Sequence, residues 1–219
     1  MKKTISLKGD FSLPGDKSIT HRAVMFGSIA EGKTEILTTI LGRDNFATIR
    51  IMRQLGAEIR GEVTQSLKDI AVEEGLADFK VCQGKESKIV IEGKGAESLR
   101  AANSELNCGN SGTTARLLTG LLAGRKFKSA LTGDHSLVKR PFKRVSEPLS
   151  QMGAKFSKEL LPFELEGGDL TGIDYTSKQA SAQVKSAIIL AGLQATGAVS
   201  VTEPRLSRDH TERMLSAMG

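Results

Sequence analysis

Leu55-Gly56-Ala57-Glu58-Ile59 returns as Met152-Gly153-Ala154-Lys155-Phe156, and its opening returns once more as Met218-Gly219. The recurrence decides the fold, because self-similarity within a chain means one supersecondary unit used several times. In front of each copy the apolar residues follow helical spacing. Ile49, Met52 and Leu55 stand at i, i+3 and i+6; Val145, Leu149 and Met152 at i, i+4 and i+7; Met214, Leu215 and Met218 obey the same rule. A glycine just past the last apolar residue is a helix stop.

Working outward, each copy has a second helical pattern upstream with a small polar start. The first runs from Ser18-Ile19-Thr20-His21-Arg22 to Ala30, stopping near Gly32. The second runs from Ser111-Gly112-Thr113-Thr114 to Ala123-Gly124. The third runs from Ser181-Ala182-Gln183-Val184-Lys185 to Ala195, stopping near Gly197. All three are rich in Ala, Leu, Ile or Gly, which predicts burial on most sides. A β-like segment follows each, at 34–37, 127–131 and 198–202. Then comes a turn with a basic residue, Arg43-Asp44, Lys139-Arg140-Pro141 or Arg208-Asp209. The expectation is a single α/β (α+β) domain over 1–219, with repeat units near 17–59, 110–156 and 180–219. The polar stretch 61–97 between the first two units predicts one strand, Lys88–Glu92, and Phe163–Glu166 predicts another.

Composition narrows the partners. The 219 residues carry 31 Lys and Arg against 25 Asp and Glu, a net charge of +6. Eight Phe, one Tyr and no Trp make a base-stacking surface for nucleic acid an unfavoured reading. No apolar run approaches the length of a membrane span, and no apolar segment follows Lys2-Lys3, so neither a membrane nor a secretory leader is expected. Two cysteines, Cys82 and Cys108, make neither a disulfide framework nor a metal set, and a cytoplasmic setting is expected. His21, His135 and His210 have no metal spacing, so no metal site is read from them. The positive balance then reads either as a solvated basic face or as a site for small anionic ligands, and the positions of the basic residues have to decide.

Helix starts are where an anion would bind, since unpaired N–H groups and the positive dipole end meet there. Lys17 supplies a point charge, Ser18 and Thr113 hydroxyls, and Gly112 room for close approach. Arg22 follows Ser18 by one turn, and Arg140 and Arg208 bring planar donor forks. Each residue also has a bland reading: Ser18 as a helix cap, Arg116 as structural, Cys108 as a small packed side chain. Asp16, Asp44, Asp134 and Asp209 stand in turns, where aspartate is common for local reasons. No carboxylate pair offers itself for acid–base work, so the sequence reads as one side of an active site.

At these residues the chain resembles the 5-enolpyruvylshikimate-3-phosphate synthase family of enolpyruvyl transferases. The resemblance rests on Leu13-Pro14-Gly15-Asp16-Lys17-Ser18-Ile19-Thr20-His21-Arg22-Ala23 and on Leu106-Asn107-Cys108-Gly109-Asn110-Ser111-Gly112-Thr113-Thr114-Ala115-Arg116. Leu131–Asp134 through Lys139–Pro141, Ala180–Ser186 and Ser207–Glu212 match as well. It implies a three-fold repeat of βαβαββ units around buried helices, and a second such domain absent from this chain, which then reads as an N-terminal half ending inside its third repeat. It implies transfer of the enolpyruvyl group of phosphoenolpyruvate to the 5-hydroxyl of shikimate 3-phosphate, in the shikimate pathway of aromatic amino-acid biosynthesis. No cofactor is implied. Partners are the two substrates and the C-terminal half, with a monomer expected at full length.

By the same resemblance Lys17 is catalytic and touches both substrates. Ser18, Arg22, Ser181, Gln183, Ser207 and Arg208 hold shikimate 3-phosphate, while Asn110, Gly112, Thr113, Arg140 and Gln183 line the phosphoenolpyruvate side. The herbicide glyphosate competes there, and a methyl at Gly112 is expected to weaken it. Ala182 and His210 depart from the serine and tyrosine of the plant and enteric branch and resemble another bacterial branch. Two alternatives stand beside this reading. The sister enzyme acting on a UDP-amino sugar has Lys-Asn in place of Lys17-Ser18, and a cysteine in the loop that matches the cysteine-free Asp134–Lys139. The other is a non-catalytic module that binds phosphorylated ligands.

Overall fold

A computed structural model describes residues 15–219; Leu13 and Pro14 of the first motif lie outside the described residues. Three inner helices share one kind of start. Asp16 caps α1 (Lys17–Ile29), its carboxylate accepting from Ile19 N at 2.8 Å. Ser111 caps α4 (Gly112–Ala123), and Ser181 caps α6 (Ala182–Gly192). Each cap satisfies one of the N–H groups that a helix start leaves open. Ser18 is therefore not a cap, contrary to its bland reading; Asp16 takes that task.

An outer helix follows each inner one: α2 (Arg43–Gln54), α5 (Lys143–Met152) and α7 (His210–Met218). Helix α2 packs between α1 and α4, α5 between α4 and α6, and α7 between α6 and α1, so the ring closes. Ten of the twelve residues of α4 are buried. The approach of α4 to α6 is set by Gly120, where a Cβ would fall 2.2 Å from the Ala187 carbonyl oxygen.

Sheets cover this helical centre. In the first, β1 (Glu31–Thr38) and β2 (Glu58–Val63) flank β4 (Ser87–Lys94), both antiparallel to it, and β3 (Lys80–Val81) extends the edge. The second runs β5 (Leu106–Asn107), β6 (Lys128–Thr132), β8 (Phe163–Glu166), β7 (Lys155–Phe156), with β5 and β6 parallel and the rest antiparallel. The third pairs β9 (Leu170–Thr176) with β10 (Ala195–Thr202) in parallel. Residues 106–166 thus run βαβαββ, and the positions of β1, β4 and β2 repeat those of β6, β8 and β7.

Several sequence expectations shift. Helix α6 ends at Gly192 rather than Ala195. Gln194 leaves the helix, donating from Nε2 to Leu190 O and Leu121 O and accepting from Arg125. Gly197, read as a helix stop, has φ +95° and sits at a bulge inside β10. Gly32 likewise lies inside β1, with φ +99°. Arg43-Asp44 forms the first turn of α2, because Gly42 takes the cap position. The stretch 61–97 carries, besides the expected strand, α3 (Gln65–Glu73) and β3; Ala71, Leu76 and Phe79 bury their side chains despite polar surroundings. Ile49, Met52, Leu55, Val145, Leu149 and Met152 are all core, but Met218 is 49% exposed. Among the described residues no helix is long and apolar enough to cross a membrane.

Candidate active site

All three inner helices point their N-termini the same way. At the opposite end, Ile29, Leu121, Gly124, Leu193 and Gln194 from their C-terminal ends line one cavity of about 560 Å³. At the N-terminal end lie the residues that the sequence singled out.

Arg22 joins two units from beneath. Its Nε donates to Thr211 Oγ1 at 2.7 Å, one terminal nitrogen to Ser186 Oγ at 2.7 Å, and the other to Ser18 Oγ at 2.7 Å and Ser18 O at 3.0 Å. The residue is 1% exposed and, among the described residues, has no carboxylate in contact. Burial, then the nearby Arg208, hold its pKa below the usual arginine value, only partly offset by Glu212 and Asp16. Arg22 lies beneath Ser18, as a positive charge whose partners among the described residues are hydroxyls and a backbone carbonyl.

Beside it, His21 donates or accepts at Thr48 Oγ1 (2.7 Å), Thr48 meets Thr114 Oγ1 (2.7 Å), and Thr114 donates to Ser111 Oγ (2.6 Å). This fully buried chain ties α1 to α2 and α4. Burial, with help from Lys17 and Arg22 and against the pull of Asp44 and Asp16, brings the His21 pKa down to about 4, so the ring is neutral. Its Nε2 has no hydrogen-bond partner among the described residues. His21 is thus a hydrogen-bonded core histidine.

Lys17, in the first turn of α1, pairs with Asp44 at 2.8 Å while remaining 54% exposed. Asn45 Nδ2 donates to Lys17 O at 3.1 Å and fixes the same turn. The sequence reading missed Asp44 as the partner of Lys17, having left it as a turn residue. On the next unit, Arg140 donates to Asn110 O at 3.3 Å and to its Oδ1, and Asn110 donates to Asp134 at 2.6 Å. Asp134 also accepts from Ser136 N and Leu137 N, and these bonds hold its carboxyl below the usual range. Gly112 opens α4 between two guanidiniums: an added Cβ would lie 2.5 Å from one terminal nitrogen of Arg116 and 3.4 Å from one of Arg140. Arg116 itself donates to Gly112 O and Pro141 O and lies over the Phe142 ring, in keeping with its structural reading.

The third unit supplies an open depression of about 680 Å³ lined by Ser181, Gln183, Ser207 and Arg208, with Arg205 and Leu206 at its rim. Gln183 Nε2 donates to Thr113 Oγ1 at 2.9 Å and links this depression to the Asn110–Arg140 cluster. Ser181 Oγ accepts from Val184 N, so its own proton is free for an acceptor outside. Arg208 is exposed and, among the described residues, makes no ion pair. The structure therefore gathers Thr113, Gln183, Ser181, Ser207 and Arg208 around one opening, Asn110, Gly112 and Arg140 beside it, and Lys17 and Ser18 on the first unit.

One cluster escaped the sequence reading. Glu203 accepts from Ser181 N at 2.7 Å and Ser207 Oγ at 2.7 Å, and pairs with Lys185 at 3.0 Å; Lys185 also pairs with Glu212 at 2.7 Å. The signal available was Lys185 one turn after Ser181 on the same helix. Burial alone would raise the Glu203 carboxyl, but Ser207, Ser181 and Lys185 outweigh it and keep it low. Cys108 is wholly buried, which pushes its thiol up to about 12 and suits its reading as a packed residue. Among the described residues no cluster of three or more His, Cys, Asp or Glu forms a metal site.

A sequence profile described as EPSP synthase (3-phosphoshikimate 1-carboxyvinyltransferase) matches residues 1–219. The 3-phosphoshikimate 1-carboxyvinyltransferase of Bacillus subtilis is 48% identical over 99% of this chain and 46% of its own length. That of Bacillus cereus strain G9842 is 49% identical over 97% of this chain and 45% of its own. The solved EPSP synthase from Acinetobacter baumannii superposes with a TM-score of 0.81 at 44% identity, covering 96% of this chain and 44% of that one. The chain thus spans about half the length of the curated relatives it matches. With the profile matching from first residue to last, this chain belongs to the EPSP synthase family.

Proposed function

We propose that this chain supplies one face of a 3-phosphoshikimate 1-carboxyvinyltransferase, carrying the acceptor subsite and part of the donor subsite. The observation that carries the reading is the bond from Gln183 to Thr113, which makes the Ser181–Ser207–Arg208 depression continuous with the Asn110–Gly112–Arg140 cluster. The first is rich in donors and sized for a phosphorylated six-carbon ring; Arg208 and the Ser181 and Ser207 hydroxyls suit a phosphomonoester. The second offers Arg140 and the start of α4 to a smaller anion with two anionic groups, a phosphate and a carboxylate, as phosphoenolpyruvate is. Lys17 stands with its ammonium exposed and its charge shared with Asp44, able to reach either ligand.

In the transfer, the acceptor 5-hydroxyl gives up its proton as its oxygen bonds to C2 of the enolpyruvyl group, and the C2=C3 double bond opens as C3 gains a proton. The C2–O bond to phosphate then breaks and C3 loses a proton, leaving the enol ether and inorganic phosphate. Lys17 and Arg140 offset charge on the leaving phosphate. Among the described residues that line the opening none is a carboxylate or a histidine, so the complementary half is assigned the remaining proton transfers, and a cytoplasmic monomer of both halves is the working form. The test is phosphate release from shikimate 3-phosphate plus phosphoenolpyruvate, with this chain alone and with the complementary half added. Turnover only in the mixture is expected; robust turnover by the chain alone would overturn the division of labour.

A further inference from the structure

One carboxylate ties together the segments that form the acceptor depression. Glu203 follows β10; Ser181 caps α6; Lys185 lies at the end of the first turn of α6; Ser207 stands in the loop leading to α7. Glu203 Oε1 accepts from Ser181 N, and Oε2 accepts from Ser207 Oγ and meets Lys185 Nζ. Lys185 then reaches Glu212 in the first turn of α7. The side chains of Glu203 and Lys185 are 8% and 12% exposed, so the cluster sits behind the opening rather than in it. Among the described residues, the bond from Ser207 to Glu203 is the one hydrogen bond made by residues 204–208, the stretch that carries Arg205 and Arg208.

We propose that Glu203, clamped by Lys185, is a positioning residue that holds Ser207 and Arg208 against the start of α6 so that they face a phosphorylated ligand together. It touches no ligand itself. The inference rests on the acceptor-site reading above. A carboxylate this close to an anion site is electrostatically adverse, and Lys185 offsets it; the geometry, not the charge, is what Glu203 contributes. That distinction can be measured. A purely electrostatic role predicts that removing the Glu203 charge tightens anion binding, whereas a positioning role predicts that it weakens.

The experiment compares the unmodified chain with Glu203→Gln and Lys185→Met, each checked for folding by circular dichroism. Two readouts are taken: calorimetric affinity for shikimate 3-phosphate, and the rate of tryptic cleavage after Arg205 without ligand. The expected result is on the order of tenfold weaker binding in both variants, about 1.4 kcal/mol, together with faster cleavage after Arg205. Unchanged cleavage in folded Glu203→Gln would overturn the tether. Faster cleavage with equal or tighter binding would overturn the positioning role. Should Glu203→Gln fail to fold, Lys185→Met is read the same way: unchanged cleavage overturns the tether, and undiminished binding overturns the positioning role. Absence of shikimate 3-phosphate binding by the unmodified chain would defeat the acceptor-site reading and the ligand role with it, while the cleavage rates report separately on the tether.

Discussion

Gln183 on α6 and Thr113 on α4 meet at 2.9 Å, so the first turns of two repeat units are joined by a single side-chain hydrogen bond. In the proposed function that bond stands between the acceptor and donor subsites. Gln183→Ala is expected to weaken binding of both shikimate 3-phosphate and phosphoenolpyruvate, each by on the order of tenfold. Thr113→Val is expected to weaken phosphoenolpyruvate more than shikimate 3-phosphate. Calorimetric titrations of the two variants with each ligand check the asymmetry; equal losses in both would place Thr113 outside the donor side.

Gly112→Ala introduces a methyl that meets Arg116 before it meets Arg140. The guanidinium tip can swing aside, so stability should change by less than about 1 kcal/mol. The space beside Arg140 is lost, and affinity for phosphoenolpyruvate and glyphosate should fall while shikimate 3-phosphate binding holds. Paired titrations with the three ligands test this; a loss confined to shikimate 3-phosphate would contradict the assignment of this corner.

Gly120→Ala makes the opposite prediction. Here the added carbon meets the backbone of Ala187, which cannot rotate away, so α4 and α6 must move apart. A loss of about 3 kcal/mol is expected in urea denaturation, with the Gln183–Thr113 bond strained as a consequence.

His21 gives the fold an acid-side weakness. Its folded-state pKa of about 4 lies below the unfolded value of 6.5, so the folded chain favours the neutral ring. The sign follows: this contribution is fully present above pH 6.5 and is lost as pH falls toward 4, amounting to about 3 kcal/mol at the low end. Asp16 and Glu203, with carboxyl pKa values held low, lose their contributions only at more acid pH. Denaturation midpoints from pH 7.5 to 4.5 should slope downward in the unmodified chain and much less in His21→Gln.

The two thiols should behave differently. Cys82 is partly exposed, whereas Cys108 is wholly buried with its pKa pushed up to about 12. An alkylating reagent should modify one thiol in the folded chain and two after unfolding.

The repeats and both helix layers were legible because the spacing of apolar residues around Leu55-Gly56 and Met152-Gly153 reports burial directly. What escaped depended on tertiary partners. Nothing local marks Gln194 as the residue that ends α6, since its acceptor on Leu121 belongs to another helix. The glycines at 32 and 197 carry the positive φ that suits a helix stop, but here they serve strand geometry. At the site, Lys17, Ser18, Arg140 and Arg208 were visible as candidate residues, whereas the pairing roles of Asp44, Glu203 and Glu212 were not. Their meaning lies in which cation they face, and that is set by helices and loops meeting in the folded chain.

The central claim is that this half of the cleft recognises the phosphorylated acceptor, and calorimetric titration of the 219-residue chain with shikimate 3-phosphate tests it most directly. Saturable binding that Lys17→Ala and Ser181→Ala both weaken, in variants shown to be folded, is the predicted result. A folded chain that takes up no shikimate 3-phosphate at concentrations saturating for a full-length relative would contradict it.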